Sequence, residues 1–279
     1  MAHAAVQFTL QAAGIPALHV KGPALSPQVA WPGRESTDTD VLIPKSRAAE
    51  CLNVLANHGW ALETRFENSS AFEHSSNLHH EIWGYLDLHR IMPGFGIDPD
   101  EAFEILWRDH EMTKIAGVPC AVPTLPGQIL VVLLHAGRSR LVGRAARDVE
   151  YAWSTADTAT KENVLRLALE LDAELGFDAA FGRLDAHRDD PAYQLWLGLS
   201  TGRATRAEEW AARIRAAPTW PQRVRLALRA TLVNVDHLAA VRGRRPSRLD
   251  VVVEFFARPI RGLREEWTAG LSRRRGRRP

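Results

Sequence analysis

The sequence predicts an α+β fold, in which a small mixed sheet with flanking helices is followed by an all-helical region. Short apolar runs bounded by turn-forming residues occur in the first half of the chain, and this pattern is typical of strands. From about residue 154 onwards, apolar residues recur at helical spacing between Pro-containing breaks. We therefore expect a first domain over 1–153, a helical domain over 154–272 that closes a cleft, and a basic, disordered tail over 273–279.

The elements of the first domain follow from local patterns. An Ala-rich helix ends at Gly14 and Pro16, and a second helix begins with Ser46 as its N-cap. An apolar helix begins after Thr124, its predicted N-cap, and ends near His135. We expect strands at 18–20, 38–43, 60–66, 78–82 and 85–91, and a hairpin at 114–122. Helices are expected at 2–13, 46–58, 97–107, 124–135 and 144–153, and further along at 164–171, 193–199, 207–214, 224–238 and 249–267.

The composition limits the class of protein. The chain has 279 residues, of which 46% are hydrophobic and 24% charged, as in globular proteins with a substantial core. Its formal net charge of +2 does not indicate a polycation for nucleic acid. Cys51 and Cys120 are too few for a disulfide scaffold. There is neither a run of about 20 apolar residues nor a recognisable signal peptide, so we expect a cytoplasmic protein with no membrane segment.

Three carboxylates in the predicted sheet are the strongest functional signal. Asp38 and Asp40 are two residues apart in one strand, so their side chains point to the same face. A second acidic strand can place Asp87 against them. Carboxylates held this close repel one another, and a divalent cation bound by oxygen atoms relieves the repulsion. The alternative is that the Asp-x-Asp pattern belongs to an exposed strand without a ligand.

The residues around these carboxylates resemble those of a known superfamily. Lys21-Gly22, then Arg34-x-x-x-Asp38-x-Asp40-x-Leu42, then Asp87-Leu88-His89 are similar to the nucleotidyltransferase superfamily with the DNA polymerase β-like fold. The resemblance is to its uncharacterised bacterial branch and extends from Leu18 to about Trp153. It implies that Asp38, Asp40 and Asp87 are catalytic residues that bind the metal, and that Asp87 takes a proton from the acceptor. It also implies a nucleotidyltransferase-like catalytic domain over 1–153.

Five further residues are predicted to bind the nucleotide. Gly22 stands where the superfamily has a Gly-Ser turn that contacts phosphate, but here Pro23 follows instead of serine. Lys21 and Arg34 are candidates for neutralising phosphate charge. His89 shares a strand face with Asp87, and His135 ends a helix in a pattern that recurs in the resembling branch. For both histidines a purely structural role is the alternative, and Asp148 is expected to anchor His135 or Arg138.

The resemblance and the carboxylates together predict a metal-dependent nucleotidyltransferase. It would move a nucleoside monophosphate, with ATP as one candidate donor, from an NTP to a hydroxyl or phosphate of a small molecule or peptide, releasing pyrophosphate. Mg²⁺ is the expected cofactor and Mn²⁺ its alternative. Two other functions stay open: an RNA-directed, toxin-like transferase that uses the basic tail, and a catalytically silent module that binds nucleotide or metal.

Overall fold

The computed structural model describes residues 1–36, 38–70 and 72–232, together with 238, 246–247, 249–251, 253–255 and 257. The predicted basic tail, 273–279, and most of the last predicted helix lie outside the described residues. Within the part that is described, no helix is both long and apolar enough to cross a membrane.

The α+β prediction is confirmed, because the described residues form a mixed five-stranded sheet with flanking helices. The strands are β1 (Leu18–His19), β2 (Thr39–Leu42), β3 (Ala61–Thr64), β4 (Ser75–His80) and β5 (Gly84–His89). Their order in the sheet is β1-β2-β5-β4-β3. Strands β2 and β5 run parallel, and the other neighbouring pairs are antiparallel. A separate hairpin consists of β6 (Glu111–Ile115) and β7 (Val118–Val122).

The predicted helices are present in the described chain with shifted ends, and two helices that were not predicted, at Phe66–Ser69 and Glu174–Ala180, occur as well. In chain order they are α1 (Ala2–Ala12), α2 (Ala48–Asn57), α3 (Phe66–Ser69), α4 (Pro99–Arg108), α5 (Leu125–Gly137), α6 (Arg144–Thr155), α7 (Thr158–Glu170), α8 (Glu174–Ala180), α9 (Tyr193–Thr201), α10 (Arg206–Ala216) and α11 (Trp220–Thr231).

Two local predictions were wrong. Ser46 does not cap α2, because a 3₁₀ turn over Lys45–Arg47 precedes that helix and Arg47 is its N-cap. The Ser46 hydroxyl bonds to the Asp100 carboxylate instead, at 3.0 Å. Strand β4 begins at Ser75, within a polar segment that was not expected to form a strand. This strand pairs along its whole length with β5 and on its other side with β3, and this tertiary pairing overrides its polar composition.

One face of the sheet is covered by α1 and α2. Alternation places Val41 of β2 and Leu86 and Leu88 of β5 on this face, where all three are fully buried. Leu10 of α1 and Leu55 of α2 pack against them in the same hydrophobic cluster. The side chains between these strand positions must therefore point to the opposite face, and they include Asp40 and Asp87.

Helix α5 is the centre of the helical packing beyond the sheet. It contacts α6, α7 and α8, and most of its residues are buried. Gly137, at its last turn, lies so close to α8 that a Cβ atom there would be 2.8 Å from the Gly176 carbonyl oxygen. Glycine is needed at this position because any side chain would force the two helices apart.

The described contacts divide the chain into two compact units, Met1–Leu184 and Asp185–Pro279. The first unit contains the sheet and α1 to α8, so the helices α7 and α8, which follow the predicted boundary at Trp153, pack within it. The second contains α9, α10 and α11, with α10 packed against both others. Helix α10 begins with a capping box between Thr205 and Glu208. The cleft-closing role of 154–272 stays a prediction.

Candidate active site

Two of the predicted carboxylates lie side by side on the face of the sheet opposite α1 and α2. Asp40 in β2 is directly paired with Asp87 in the parallel neighbour β5. Both residues alternate with the buried leucines and valine that face α1 and α2, so the side chains share the other face. Asp40 is buried and Asp87 is partly buried. The sheet thus brings together carboxylates that are far apart in sequence.

Asp38 lies outside this pair. Strand β2 begins at Thr39, so Asp38 precedes the strand, and its side chain is exposed. Its backbone carbonyl accepts a hydrogen bond of 3.1 Å from the Ser36 hydroxyl. The charge of Asp38 is nevertheless one of those that raise the pKa of Asp87, so it acts on the same site. Its role as a metal ligand stays a prediction.

Asp40 is held by two basic side chains. The Lys21 ammonium forms an ion pair with Oδ1 of Asp40, and Nε2 of His89 is 2.9 Å from the same oxygen. Burial alone would raise the pKa of Asp40, but the Lys21 charge and the His89 hydrogen bond outweigh it and hold the pKa well below its usual range. Asp40 is therefore ionised throughout the physiological pH range, although it is buried.

The environment of Asp87 has the opposite effect. Its carboxylate accepts a hydrogen bond from the Asn77 amide on β4. Burial and the negative charge of Asp40 raise the pKa of Asp87 from 3.8 to about 6, although the Lys21 charge opposes the change. In the metal-free protein, this carboxylate is therefore the one whose ionisation is disfavoured.

The side chains at this point fit a divalent cation. Asp40, Asp87 and His89 each offer a ligand atom, and these atoms all lie within 4.8 Å of one another. Carboxylates are the donors that Mg²⁺ and Mn²⁺ prefer, and a cation between these two would offset the burial and the repulsion from Asp40 that raise the pKa of Asp87.

His89 is placed to orient Asp40. Burial lowers the pKa of His89 to about 4, even though its hydrogen bond to Asp40 works in the other direction. A neutral imidazole must donate from Nε2 to the carboxylate, so its Nδ1 carries a lone pair. That Nδ1 is buried and has no hydrogen-bond partner among the described residues.

Gly22 forms a tight turn next to the site. Its φ of +63° is one that L-residues rarely adopt, and it opens a 3₁₀ turn over Gly22–Ala24. A Cβ atom at Gly22 would be 3.0 Å from the Ser36 hydroxyl oxygen. Although Pro23 replaces the expected serine, another serine hydroxyl therefore lies against this glycine.

Arg34 is engaged away from the carboxylate pair. Its Nε and Nη2 donate to the two oxygens of Asp148, at 2.9 and 3.2 Å, and both side chains are buried. Nε1 of Trp31 also donates to Asp148, at 2.8 Å. The expectation that Asp148 anchors His135 or Arg138 was wrong. Arg34 and Trp31, in the loop before β2, form the hydrogen bonds to Asp148 instead. Phosphate binding by Arg34 stays a prediction.

The structure adds two residues that sequence reasoning missed as site components, His74 and Arg138. Arg138, the C-cap of α5, donates to Nδ1 of His135 at 3.1 Å and to Nε2 of His74 at 2.9 Å. The His74 ring lies against His89, with 5.2 Å between ring centroids. The position of Arg138 three residues after His135, one helical turn away, was the only sequence signal that could have indicated this contact.

Comparison with known proteins agrees with this geometry. A family described as "Uncharacterised nucleotidyltransferase" matches residues 5–183. The chain belongs to this family. The match coincides closely with the first compact unit and contains each of the predicted site residues. This confirms the resemblance seen in the sequence, and the protein is a nucleotidyltransferase enzyme. No curated protein matches the chain significantly.

Two solved structures are similar to this nucleotidyltransferase at low identity. One is a lincosamide antibiotic adenylyltransferase, LnuA, with lincomycin bound: 18% identity, a TM-score of 0.38, and coverage of 55% of this chain and 94% of the other. The second is the antibiotic-resistance factor ANT(2'')-Ia, with 13% identity, a TM-score of 0.41, and coverage of 66% and 93%.

Proposed function

We propose that this nucleotidyltransferase uses a divalent cation to move a nucleoside monophosphate from an NTP to a hydroxyl group of a small-molecule acceptor. The acceptor oxygen forms a bond to the α-phosphorus, the bond to the bridging oxygen breaks, and pyrophosphate leaves. The acceptor's proton goes to a carboxylate of the site. Mg²⁺ is the proposed cation, Mn²⁺ its substitute, and ATP the first donor to test.

One observation carries this proposal: the parallel pairing of Asp40 with Asp87, which gives two neighbouring carboxylates opposite protonation behaviour. Asp40 is kept ionised by Lys21 and His89, so it is a permanent anionic ligand. Asp87 has a pKa raised to about 6 in the metal-free protein, so it is the carboxylate whose charge a bound cation would stabilise.

The residues have distinct tasks in this reaction. Asp40 and Asp87 would hold the cation, with Asp38 beside them, and His89 orients Asp40 through its Nε2–H. A bound cation supplies positive charge to the phosphates and lowers the pKa of the acceptor hydroxyl. Asp87 is the base proposed to take the hydroxyl proton.

The test is a pyrophosphate-release assay with each NTP, Mg²⁺ or Mn²⁺, and a panel of hydroxylated small molecules. We expect release that depends on metal and acceptor and that is abolished in Asp40→Ala and Asp87→Ala. Asp109→Ala is the matched control, because it removes an exposed aspartate of the same unit. Absence of release with every NTP, or unchanged release in Asp40→Ala, would contradict the proposal.

The contact between Lys21 and Asp40 favours a second candidate, the catalytically silent module. The ammonium already neutralises one of the two carboxylates, so nucleotide can bind beside it with no catalytic cation. This candidate predicts that NTP binding is independent of Mg²⁺ and that no pyrophosphate is released. The RNA-directed alternative instead predicts label transfer to RNA that is lost when 273–278 is deleted and that weakens steeply with salt.

A further inference from the structure

Arg138 has an unusual set of partners for a partly buried cation. Its two terminal nitrogens donate to His74 and His135, and its side chain makes no other hydrogen bond within the part of the chain described here. None of the described carboxylates forms an ion pair with it, although the charges of Asp40 and Asp87 are near enough to affect its pKa.

The chemistry of the guanidinium fixes the protonation of both histidines. A guanidinium only donates, so Nε2 of His74 and Nδ1 of His135 must present lone pairs. His74 then carries its proton on Nδ1, which is 2.6 Å from the Ser70 hydroxyl. Arg138 is therefore held by two neutral acceptors, and within the described chain no carboxylate bonds to it directly.

The other two cations near the site differ from Arg138 in this respect. Lys21 is paired with Asp40, and the buried Arg34 is paired with Asp148 through two hydrogen bonds. A cation that is removed from water without an anionic partner is costly, unless a ligand supplies the missing charge. Of these three residues, Arg138 is the one that forms no ion pair within the described chain, so it is the one that an anionic ligand would stabilise.

Its position at the end of α5 offers a simpler explanation. The C-terminus of a helix carries partial negative charge, which favours a basic residue there. This explains a positive charge at residue 138. It does not explain why the guanidinium is fixed by a histidine from another element, His74, beside β4, 64 positions away in sequence. Such cross-element positioning is typical of a group held ready for a ligand.

We propose that Arg138 binds the phosphoryl oxygens of the NTP that leave as pyrophosphate, and that His74 and His135 are positioning residues for its guanidinium. The planar array of donors suits phosphate oxygens, to which arginine binds with two parallel hydrogen bonds. This inference rests on the proposed function and refines it. Arg138, rather than Arg34, would bind the phosphates. His135 would position Arg138 and would not contact the nucleotide itself.

The test measures pyrophosphate binding by calorimetry with the full chain in the presence of Mg²⁺. We expect Arg138→Gln to weaken binding roughly 10- to 100-fold, the usual effect of losing hydrogen bonds to a charged group. Arg138→Lys keeps the positive charge but loses the planar pair of guanidinium donors. Its pyrophosphate affinity should lie between those of Arg138→Gln and the wild type. Arg140→Gln is the matched control, because it removes the same charge from an exposed side chain two positions away.

The histidines are tested by a conservative pair of variants. His74→Gln keeps an acceptor and should retain much of the pyrophosphate affinity, whereas His74→Leu should lose it. Mn²⁺ binding, measured by electron paramagnetic resonance, should be unchanged in both, which a general loss of structure would not allow. Equal pyrophosphate affinity in Arg138→Gln and Arg140→Gln would overturn the inference.

Failure of this inference is distinguishable from failure of the proposed function. Pyrophosphate binding that depends on Arg138, without turnover of any NTP, would keep the anion site and remove the transferase proposal. Metal-dependent turnover, with a pyrophosphate affinity that neither Arg138→Gln nor Arg138→Lys changes, would keep the transferase proposal and remove the anion site at Arg138.

Discussion

The substitution Asp87→Asn should stabilise the metal-free protein and destabilise the metal-bound one. The asparagine keeps an oxygen that can accept the hydrogen bond from Asn77, but it removes the charge that burial and the neighbouring Asp40 disfavour. The rise in pKa from 3.8 to about 6 corresponds to roughly 3 kcal/mol. Because Asp87 is only partly buried, and solvent screens part of the repulsion, we expect about 1–2 kcal/mol in practice.

The pH dependence of this gain has a definite sign. The pKa of Asp87 is raised in the folded state, so its contribution to stability is fully present below pH 3.8 and is lost as pH rises through about 6. The advantage of Asp87→Asn over the wild type should therefore grow between these values and level off above them. Asp40 has the opposite dependence, but it contributes equally to both proteins and cancels in the difference.

The assay is urea unfolding of both proteins in a chelator and in excess Mg²⁺, at several pH values, with Asp109→Asn as the exposed control. In the chelator above pH 7, the variant should be the more stable. In Mg²⁺ the order should reverse, because a ligand that binds only the folded state stabilises it by about 2.7 kcal/mol at 100 times its dissociation constant. A variant that is less stable than the wild type in the chelator would refute the repulsion between Asp40 and Asp87.

Three shorter predictions concern the carboxylates, the glycine turn and the chain ends. Asp40→Ala should keep the native circular dichroism spectrum at about 25 °C but lower the free energy of unfolding, because the buried Lys21 loses its ion pair, and it should abolish metal-dependent pyrophosphate release. Gly22→Ala should lower the free energy of unfolding by about 1–2 kcal/mol through backbone strain, and by more because the new Cβ would lie 3.0 Å from the Ser36 hydroxyl oxygen. The control Gly14→Ala has the same φ of +63° but open space around it, so it should show only the loss from backbone strain. Truncation after Ser272 should preserve pyrophosphate release, whereas truncation after Trp153 should yield insoluble protein on expression because it removes the helices that pack on α5.

The carboxylate face was predictable from sequence because strand alternation is a local rule. Val41, Leu86 and Leu88 alternate with Asp40 and Asp87, so their burial against α1 and α2 determines where the acids point. The pairing of β2 with β5 could be predicted only with the resemblance to a known superfamily, since nothing in either strand specifies a parallel neighbour. The start of β2 at Thr39, which leaves Asp38 outside the strand, depends on pairing rather than on composition.

The partners of the basic residues were not predictable, because each pair joins distant parts of the chain. Arg34 and Asp148 are 114 positions apart, and His74 and Arg138 are 64 apart. Arginine, aspartate and histidine are common on protein surfaces, and the local patterns around these four residues carry no information about which acid or base they will meet. Asp148 meets Arg34 and not Arg138 because its helix, α6, contacts the loop before β2, where Tyr151 donates to the Pro27 carbonyl.

Two charged groups of the site that form no ion pair among the described residues indicate how ligands should bind. Asp87 is a carboxylate that disfavours ionisation, and Arg138 is a cation held by neutral histidines. A bound cation would stabilise the negative charge of Asp87, and a bound phosphate would stabilise the positive charge of Arg138.

We therefore expect Mg²⁺ to increase pyrophosphate affinity, and pyrophosphate to increase metal affinity by the same factor. Calorimetric titrations at several Mg²⁺ concentrations measure this factor, and it should shrink in Asp87→Asn. Because Mg²⁺ also binds free pyrophosphate, a factor that is equal in the wild type and in Asp87→Asn would show that the coupling arises in solution and not in the site.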